Sequence, residues 1–227
     1  MRKILNHSTS VLLGVFSVGL AMISSNAFAI GFTFDAVGDM ATFDYSLDIG
    51  GGNILTGTTK YTATAISANS ITLSTVVTNT SSTGTNQGIH SIGFKTTDPM
   101  IQQSGSSLSQ IVGGTGTFFN VLIDTTFPGF QTVEMCAHVG NNCSGGNQNL
   151  SIGEGKFDNF LLTLAFASPS TTNPSTFQID RPLIRFKGDL GSITGEATKS
   201  LPEPSTLLLF GTGLSGLILG RWKHPQK

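Results

Sequence analysis

Apolar residues recur at every second position in one stretch of this chain after another. Phe160, Leu162, Leu164 and Phe166 alternate with Leu161, Thr163 and Ala165. A β-strand has a side-chain period of two, so such a run gives one apolar face and one more polar face. Residues 59–66 set Tyr61, Ala63 and Ala65 against Lys60, Thr62 and Thr64. Residues 71–78 set Ile71, Leu73, Thr75 and Val77 against Thr72, Ser74 and Thr78. Between these two runs, residues 67–70 (SANS) read as a hairpin turn. Further strands are expected at 32–34, 42–49, 92–94, 118–123, 176–179 and 183–187, about nine to eleven in all. No segment of about 10 to 15 residues between 30 and 200 carries a helical period; residues 104–112 offer one helical turn or two. Glycine- and polar-rich stretches at 50–53, 80–88, 113–116, 144–149 and 169–174 read as loops. There is no internal repeat. The pattern predicts a single all-β domain over residues 30–200, an antiparallel β-sandwich of jelly-roll-like build.

Composition narrows what such a domain can do. Charged residues are 11% of the chain, against roughly a quarter in an average protein, and Ser, Thr, Gly and Asn stand in their place. The whole-chain charge of −1 hides an imbalance. All 13 acidic residues but only seven basic ones fall between 30 and 203, so this part carries −6. A nucleic-acid partner would need a basic face and is not expected. The same charge disfavours direct adhesion to anionic lipid.

Both ends of the chain differ from the middle. Arg2 and Lys3 precede an apolar stretch at 11–23, and Ala27-Phe28-Ala29 supplies a small-x-small site. This is the layout of a secretory signal peptide over 1–29, a signal helix cut after Ala29 by signal peptidase of the general secretion machinery. At the other end, Pro202-Glu203-Pro204 is followed by 16 uncharged residues, 205–220, and then by Arg221, Trp222 and Lys223. As a helix, 205–220 would span about 24 Å, a short transmembrane segment for a hydrocarbon core of roughly 30 Å. The prolines keep the preceding segment out of the helix. Arg221 and Lys223 form a basic anchor on the cytoplasmic side. The two ends thus agree on topology: the middle of the chain outside, its last residues inside.

The ordered triplet of Pro-Glu-Pro, apolar run and basic end resembles the PEP-CTERM protein-sorting signal. The resemblance covers residues 201–227, with the motif at 201–206. A sortase signal of the Leu-Pro-x-Thr-Gly kind would need Thr-Gly where Pro204-Ser205 stand. The resemblance implies an exported protein held transiently in the inner membrane of a Gram-negative bacterium. It implies recognition of Pro202, Glu203 and Pro204 by an exosortase-like membrane enzyme, and then delivery to the cell surface or extracellular matrix. Exopolysaccharide and biofilm are the setting it implies, with exopolysaccharide as a further partner.

The domain's chemistry-bearing residues are few. Cys136 and Cys143 are the only cysteines, in CAHVGNNC at 136–143. Export makes a disulfide the expected state, and Gly140-Asn141-Asn142 supplies turn residues to close the loop. Cys136, His138 and Cys143 match no standard zinc spacing, and no metal or cofactor is expected. His90 lies beside Ser91, but no G-x-S-x-G elbow is present. Asp35, Asp39, Asp44 and Asp48 follow one another at intervals of four or five without fitting an EF-hand, so a calcium site would have to come from separate loops. No catalytic residue is assigned. Two alternatives to a structural matrix protein remain. One is a carbohydrate-binding module, which would need exposed aromatic rings from Tyr45, Tyr61 or the phenylalanines. The other is a secreted hydrolase, which would need a cleft holding two carboxylates or a Ser-His-Asp set.

Overall fold

The computed structural model describes residues 31–96, 100–115, 117–118, 120–144, 150–167 and 177–202. The signal segment 1–29 and the run 205–220, both expected as helices, lie outside the described residues. Among the described residues there is no α-helix, and no helix long and apolar enough to cross a membrane.

Among the described residues, twelve strands form two antiparallel six-stranded sheets. One sheet, called here sheet B, contains β2 (Met40–Asp48), β3 (Ile54–Ser67), β4 (Ser70–Asn79), β6 (Ile101–Gln110), β9 (Phe157–Phe166) and β12 (Lys199–Pro202). Its order is β12-β2-β3-β4-β9-β6. The other, sheet A, contains β1 (Phe32–Phe34), β5 (Gly88–Thr96), β7 (Asn120–Thr126), β8 (Thr132–His138), β10 (Phe177–Gly188) and β11 (Gly191–Glu196). Its order is β1-β10-β5-β8-β7, with β11 also paired to β10. The expected antiparallel sandwich is therefore the architecture.

Sheet B follows the alternation closely except at Ala65, expected on the face of Tyr61 and Ala63 but exposed, because the β3–β4 register shifts between Ala63 and Ala65. The β3–β4 hairpin turns where the sequence placed it, with Ser67 paired to Ser70. Along β4 and β9 every second side chain is buried. The buried phase packs against sheet A through a chain of rings. Phe43 and Tyr61 from sheet B lie 6.0 Å apart, Tyr61 meets Phe94 of sheet A at 5.9 Å, and Phe94 meets Phe177 at 6.0 Å. All three contacts are edge-on, an arrangement that aromatic quadrupoles favour. One flank of the sandwich is closed by Gln103 of β6. Its amide nitrogen donates to the Val121 carbonyl at 3.1 Å and its amide oxygen accepts the Ile123 N–H at 2.9 Å. This carboxamide pairs with the open edge of β7 as a neighbouring strand would.

Three expectations change. Residues 104–112 are not helical: 104–110 belong to β6, an edge strand irregular between Gln102 and Ser107. Gly105 there has φ 86°, and the Ser106 hydroxyl accepts the Ala165 N–H at 3.0 Å, so a side chain replaces a missing ladder contact. Residues 177–179 of the run expected at 176–179 and the run at 183–187 are parts of one strand, β10, bent at Arg181, whose φ is 41°. The β5–β10 register shifts between Asp180 and Leu183 at the same place. Finally β8 covers 132–138, where only the cysteine loop was foreseen.

Candidate functional site

The sorting motif begins inside the folded domain. After β11, the Ala197 N–H donates to the Pro182 carbonyl at 2.9 Å, and the chain crosses from sheet A to sheet B. The Thr198 N–H and hydroxyl both reach the Asp44 carbonyl, at 2.8 and 3.1 Å. β12 then pairs with β2, from Lys199 opposite Asp44 to Pro202 opposite Ala41. Proline has no N–H to give, so the end of an edge strand is a place where it is tolerated. Glu203, Pro204, Arg221 and Lys223 of the expected motif and anchor, and Ala27 and Ala29 of the signal-peptidase site, lie outside the described residues.

A second concentration of polar groups lies within sheet A, around the cysteine pair. Cys136 and Cys143 are bonded, with S–S 2.02 Å and Cα atoms 6.4 Å apart. Arg185, Ser91 and His138 lie in register on the neighbouring strands β10, β5 and β8. The Cys143 carbonyl accepts the Arg185 Nη1 at 2.7 Å and the Ser91 hydroxyl at 3.1 Å. Arg185 Nε donates to the Ser192 hydroxyl at 2.6 Å. Arg185 is only 3% exposed, and burial lowers its pKa below the ordinary guanidinium value. Burial also lowers the pKa of His138 from 6.5, outweighing its contacts with backbone at Val139 and Gly140, so the imidazole is held neutral. Leu183, Phe127 and Val133 pack with the cystine in a small apolar cluster separate from the main core. Gly93 makes room for it: a Cβ there would lie 3.0 Å from the Phe127 ring and 2.9 Å from the Met135 carbonyl.

These positions carry structure rather than an exposed reaction centre. Ser91 is fully buried, with its hydroxyl given to the Cys143 carbonyl. His90 is also fully buried, with Nδ1 3.4 Å from the Ser151 hydroxyl. An open cleft of about 380 Å³ lies elsewhere, lined by Ser46, Gly52, Asn53, Ile54, Thr56, Ser82 and Thr83. It contains neither a carboxylate nor a histidine.

The acidic residues close turns. Asp39 accepts the N–H groups of Asp35 and Ala36, both at 2.8 Å. Burial alone would raise its pKa, but these bonds leave it below 3.8. Asp48 accepts the Gly50 N–H at 2.8 Å. Glu154 accepts the Thr83 hydroxyl at 2.6 Å and the Gly84 N–H at 3.0 Å, tying loop 80–87 to loop 153–155. Burial pushes Glu154 up, but those donors outweigh it and hold the carboxyl below 4.5. Among the described residues no three His, Cys, Asp or Glu side chains gather closely enough to hold a metal ion.

Two polar positions escaped the sequence reading although a signal was present. Asp158 shares the inward phase of Phe160 and Leu162, and it is fully buried. Its Oδ2 accepts the N–H groups of Thr117 and Phe118 at 2.9 and 2.7 Å, which pins the loop ahead of β7. Arg185 stands among Leu183, Ile184 and Phe186, apolar on both phases, and that marks a strand covered on both faces.

Comparison with known proteins adds one finding. Residues 200–223 match the PEP-CTERM protein-sorting motif. No curated protein and no solved structure matches the chain. The motif marks an exported protein sorted through a C-terminal membrane-anchor region by an exosortase, a membrane enzyme. The chain therefore ends in a PEP-CTERM protein-sorting motif whose first three residues, Ser200, Leu201 and Pro202, already lie in sheet B.

Proposed function

We propose that this protein is a non-enzymatic structural component of the cell surface or extracellular matrix, delivered there by exosortase processing and associated with exopolysaccharide or biofilm. The observation that carries the reading is the sorting motif joined directly to an antiparallel sandwich. The groups a hydrolase would use support it from the other side. Ser91, His90 and Asp158 are fully buried, and the cleft beside Ser46 and Thr83 has no acid or base in its lining. A polysaccharide-binding face would need rings to stack on sugars. Tyr45 and Tyr61 are both buried in the core, as are most of the described phenylalanines, while Phe157 is exposed. Sugar contact by hydroxyl-rich surface is the form of association this leaves.

The test is cell fractionation of the native host with the chain intact and with Glu203→Ala. The proposal expects the intact protein in the surface or matrix fraction and the variant retained in the inner membrane. Equal distribution of the two would contradict it.

A further inference from the structure

The cleft beside Ser46 and Thr83 has walls that are already bonded in place. Its floor is the turn end of the β2–β3 hairpin, where Ser46 stands opposite Thr56 on the phase facing away from the core. The Gly50 N–H donates to the Asp48 carboxylate at 2.8 Å, the Asn53 N–H to the Gly50 carbonyl at 3.1 Å, and the Ile49 N–H to the Asn53 carbonyl at 3.1 Å. Residues 80–83 form the other wall. The Thr80 N–H and the Ser81 hydroxyl both donate to the Thr56 carbonyl, at 3.1 and 3.0 Å, and the Ser81 oxygen accepts the Thr56 N–H at 2.9 Å. Glu154 holds Thr83 by its hydroxyl. A site fixed in this way has little ordering left to do when a ligand enters. Gly52 keeps the mouth clear, since no atom lies within 4 Å of where its Cβ would stand.

The lining is uncharged: hydroxyls, one carboxamide and the side chain of Ile54, which is 49% exposed. Among the described residues, the Ser46 and Ser82 hydroxyls and the Asn53 carboxamide have no hydrogen-bond partner in the protein. The Thr56 hydroxyl accepts from Thr80 at 2.9 Å and keeps its own proton to donate. Donors and acceptors without charge, beside a patch of hydrocarbon, match a sugar ring, which has hydroxyls on its rim and C–H groups on its faces. Two carboxylates adjoin the cleft, Asp48 on the turn and Glu154 on Thr83, and the exported part is net negative. A chain bearing uronate, sulfate or phosphate is therefore repelled. The volume of about 380 Å³ lies at the lower end of the roughly 300–1,000 Å³ of small-ligand sites, so the cleft holds a short segment. Beyond it the outward phase of sheet B carries on in hydroxyls, with Thr58 opposite Thr78 and Thr62 opposite Ser74.

We infer that this cleft binds a short segment of an uncharged polysaccharide. Ser46, Asn53, Thr56 and Ser82 hydrogen-bond its hydroxyls, and Ile54 meets the C–H face of a ring. The inference rests on the reading of the protein as a component of an exopolysaccharide matrix. The lining has no aromatic ring to stack on, so one contact is weak, and many copies along one polymer gain through effective concentration.

The experiment runs the mature protein from native cells on native gels containing the host's own exopolysaccharide. The polymer is deproteinised and split by anion exchange into neutral and acidic fractions. One variant, Asn53→Ala with Ser82→Ala, removes two side chains that bond nothing else among the described residues. A control, Thr126→Ala, removes an exposed hydroxyl from β7 of the other sheet. The result expected is retardation by the neutral fraction, with the dissociation constant raised about tenfold in the double variant and changed less than about twofold in the control. Equal retardation of the natural chain and the double variant would overturn the inference and leave matrix association standing. Retardation by the acidic fraction alone would overturn it, as would retardation lost on deproteinisation, which would point to a protein partner. No retardation by either fraction would overturn the inference and the exopolysaccharide association with it, while delivery to the surface is read separately by the fractionation of Glu203→Ala.

Discussion

Sheets A and B are built from the same antiparallel pairing, but they differ in how many of their faces are covered. Along β4 buried and half-buried residues alternate over all ten positions. Along β5 the first seven residues are all buried. The difference lies in what sits behind each sheet. The outward phase of sheet B shows Thr58, Thr62, Ser74 and Thr163, half-buried hydroxyl side chains that water can reach. Around β5, β8 and β10 of sheet A gather Phe127, the cystine and the loop it closes. A sheet with one wet face writes its fold as alternation, whereas one covered on both sides does not.

The largest expected effect lies in the core that the two sheets share. Phe160 is fully buried and stacked on Phe118 at 5.4 Å, so Phe160→Ala is expected to cost about 3–5 kcal/mol. Urea unfolding followed by circular dichroism would read it as a lower midpoint at unchanged slope. A loss under 1 kcal/mol would mean that the sheets do not pack through this ring.

The cystine comes next and belongs to sheet A alone. Replacing Cys136 and Cys143 by alanine is expected to cost roughly 2–3 kcal/mol, the entropy of closing a short loop. Amide exchange should rise first in β8 and in the part of β5 paired with it, and least in β3 and β4. Uniform loss across both sheets would erase the distinction between them.

Acid separates the two titrating positions. The unfolded chain takes a proton at His138 near 6.5, while burial makes the folded form resist until lower pH. Stability is therefore expected to fall as pH drops below 6.5, by up to about 1.4 kcal/mol per pH unit, and His138→Asn should remove that part of the slope. Glu154 acts lower. Its carboxyl is held below 4.5 when folded, so its contribution is complete above that value and lost as pH falls through the folded pKa. Glu154→Gln should cost about 1 kcal/mol at neutral pH and progressively less in acid. Paired pH titrations of the two variants would show whether the windows are distinct.

The smallest effect is expected on the wet face of sheet B. Ser74→Val replaces a hydroxyl with a good strand former on that half-exposed surface and should shift stability by no more than about 0.5 kcal/mol. A larger loss in the folded, isolated protein would show that something covers this face.

The same contrast sets what could be read from the sequence. The β3–β4 hairpin, β9 and the inward phase of Tyr61, Leu73 and Phe160 were legible because one face of sheet B is polar. β8 was not, because Met135, Cys136, Ala137 and His138 are buried in succession and show no period. β11 and β12 are short and polar, and only their pairing with β10 and β2 makes them strands. The cysteine pair was legible from spacing and export, but not its role as the cap to which Arg185 and Ser91 are bonded. The sorting signal needed no fold at all, since order of composition carries it. Its continuity with sheet B was invisible, because nothing in Ser200-Leu201-Pro202 alternates for long enough to show a strand.

The most direct test of the whole account is the intact mass of the protein purified from its native cells under non-reducing conditions. The account predicts a chain that begins at Ile30, lacks the uncharged run and basic end, and is two hydrogens lighter than its thiol form. A chain that still carries every residue to Lys227 would contradict it.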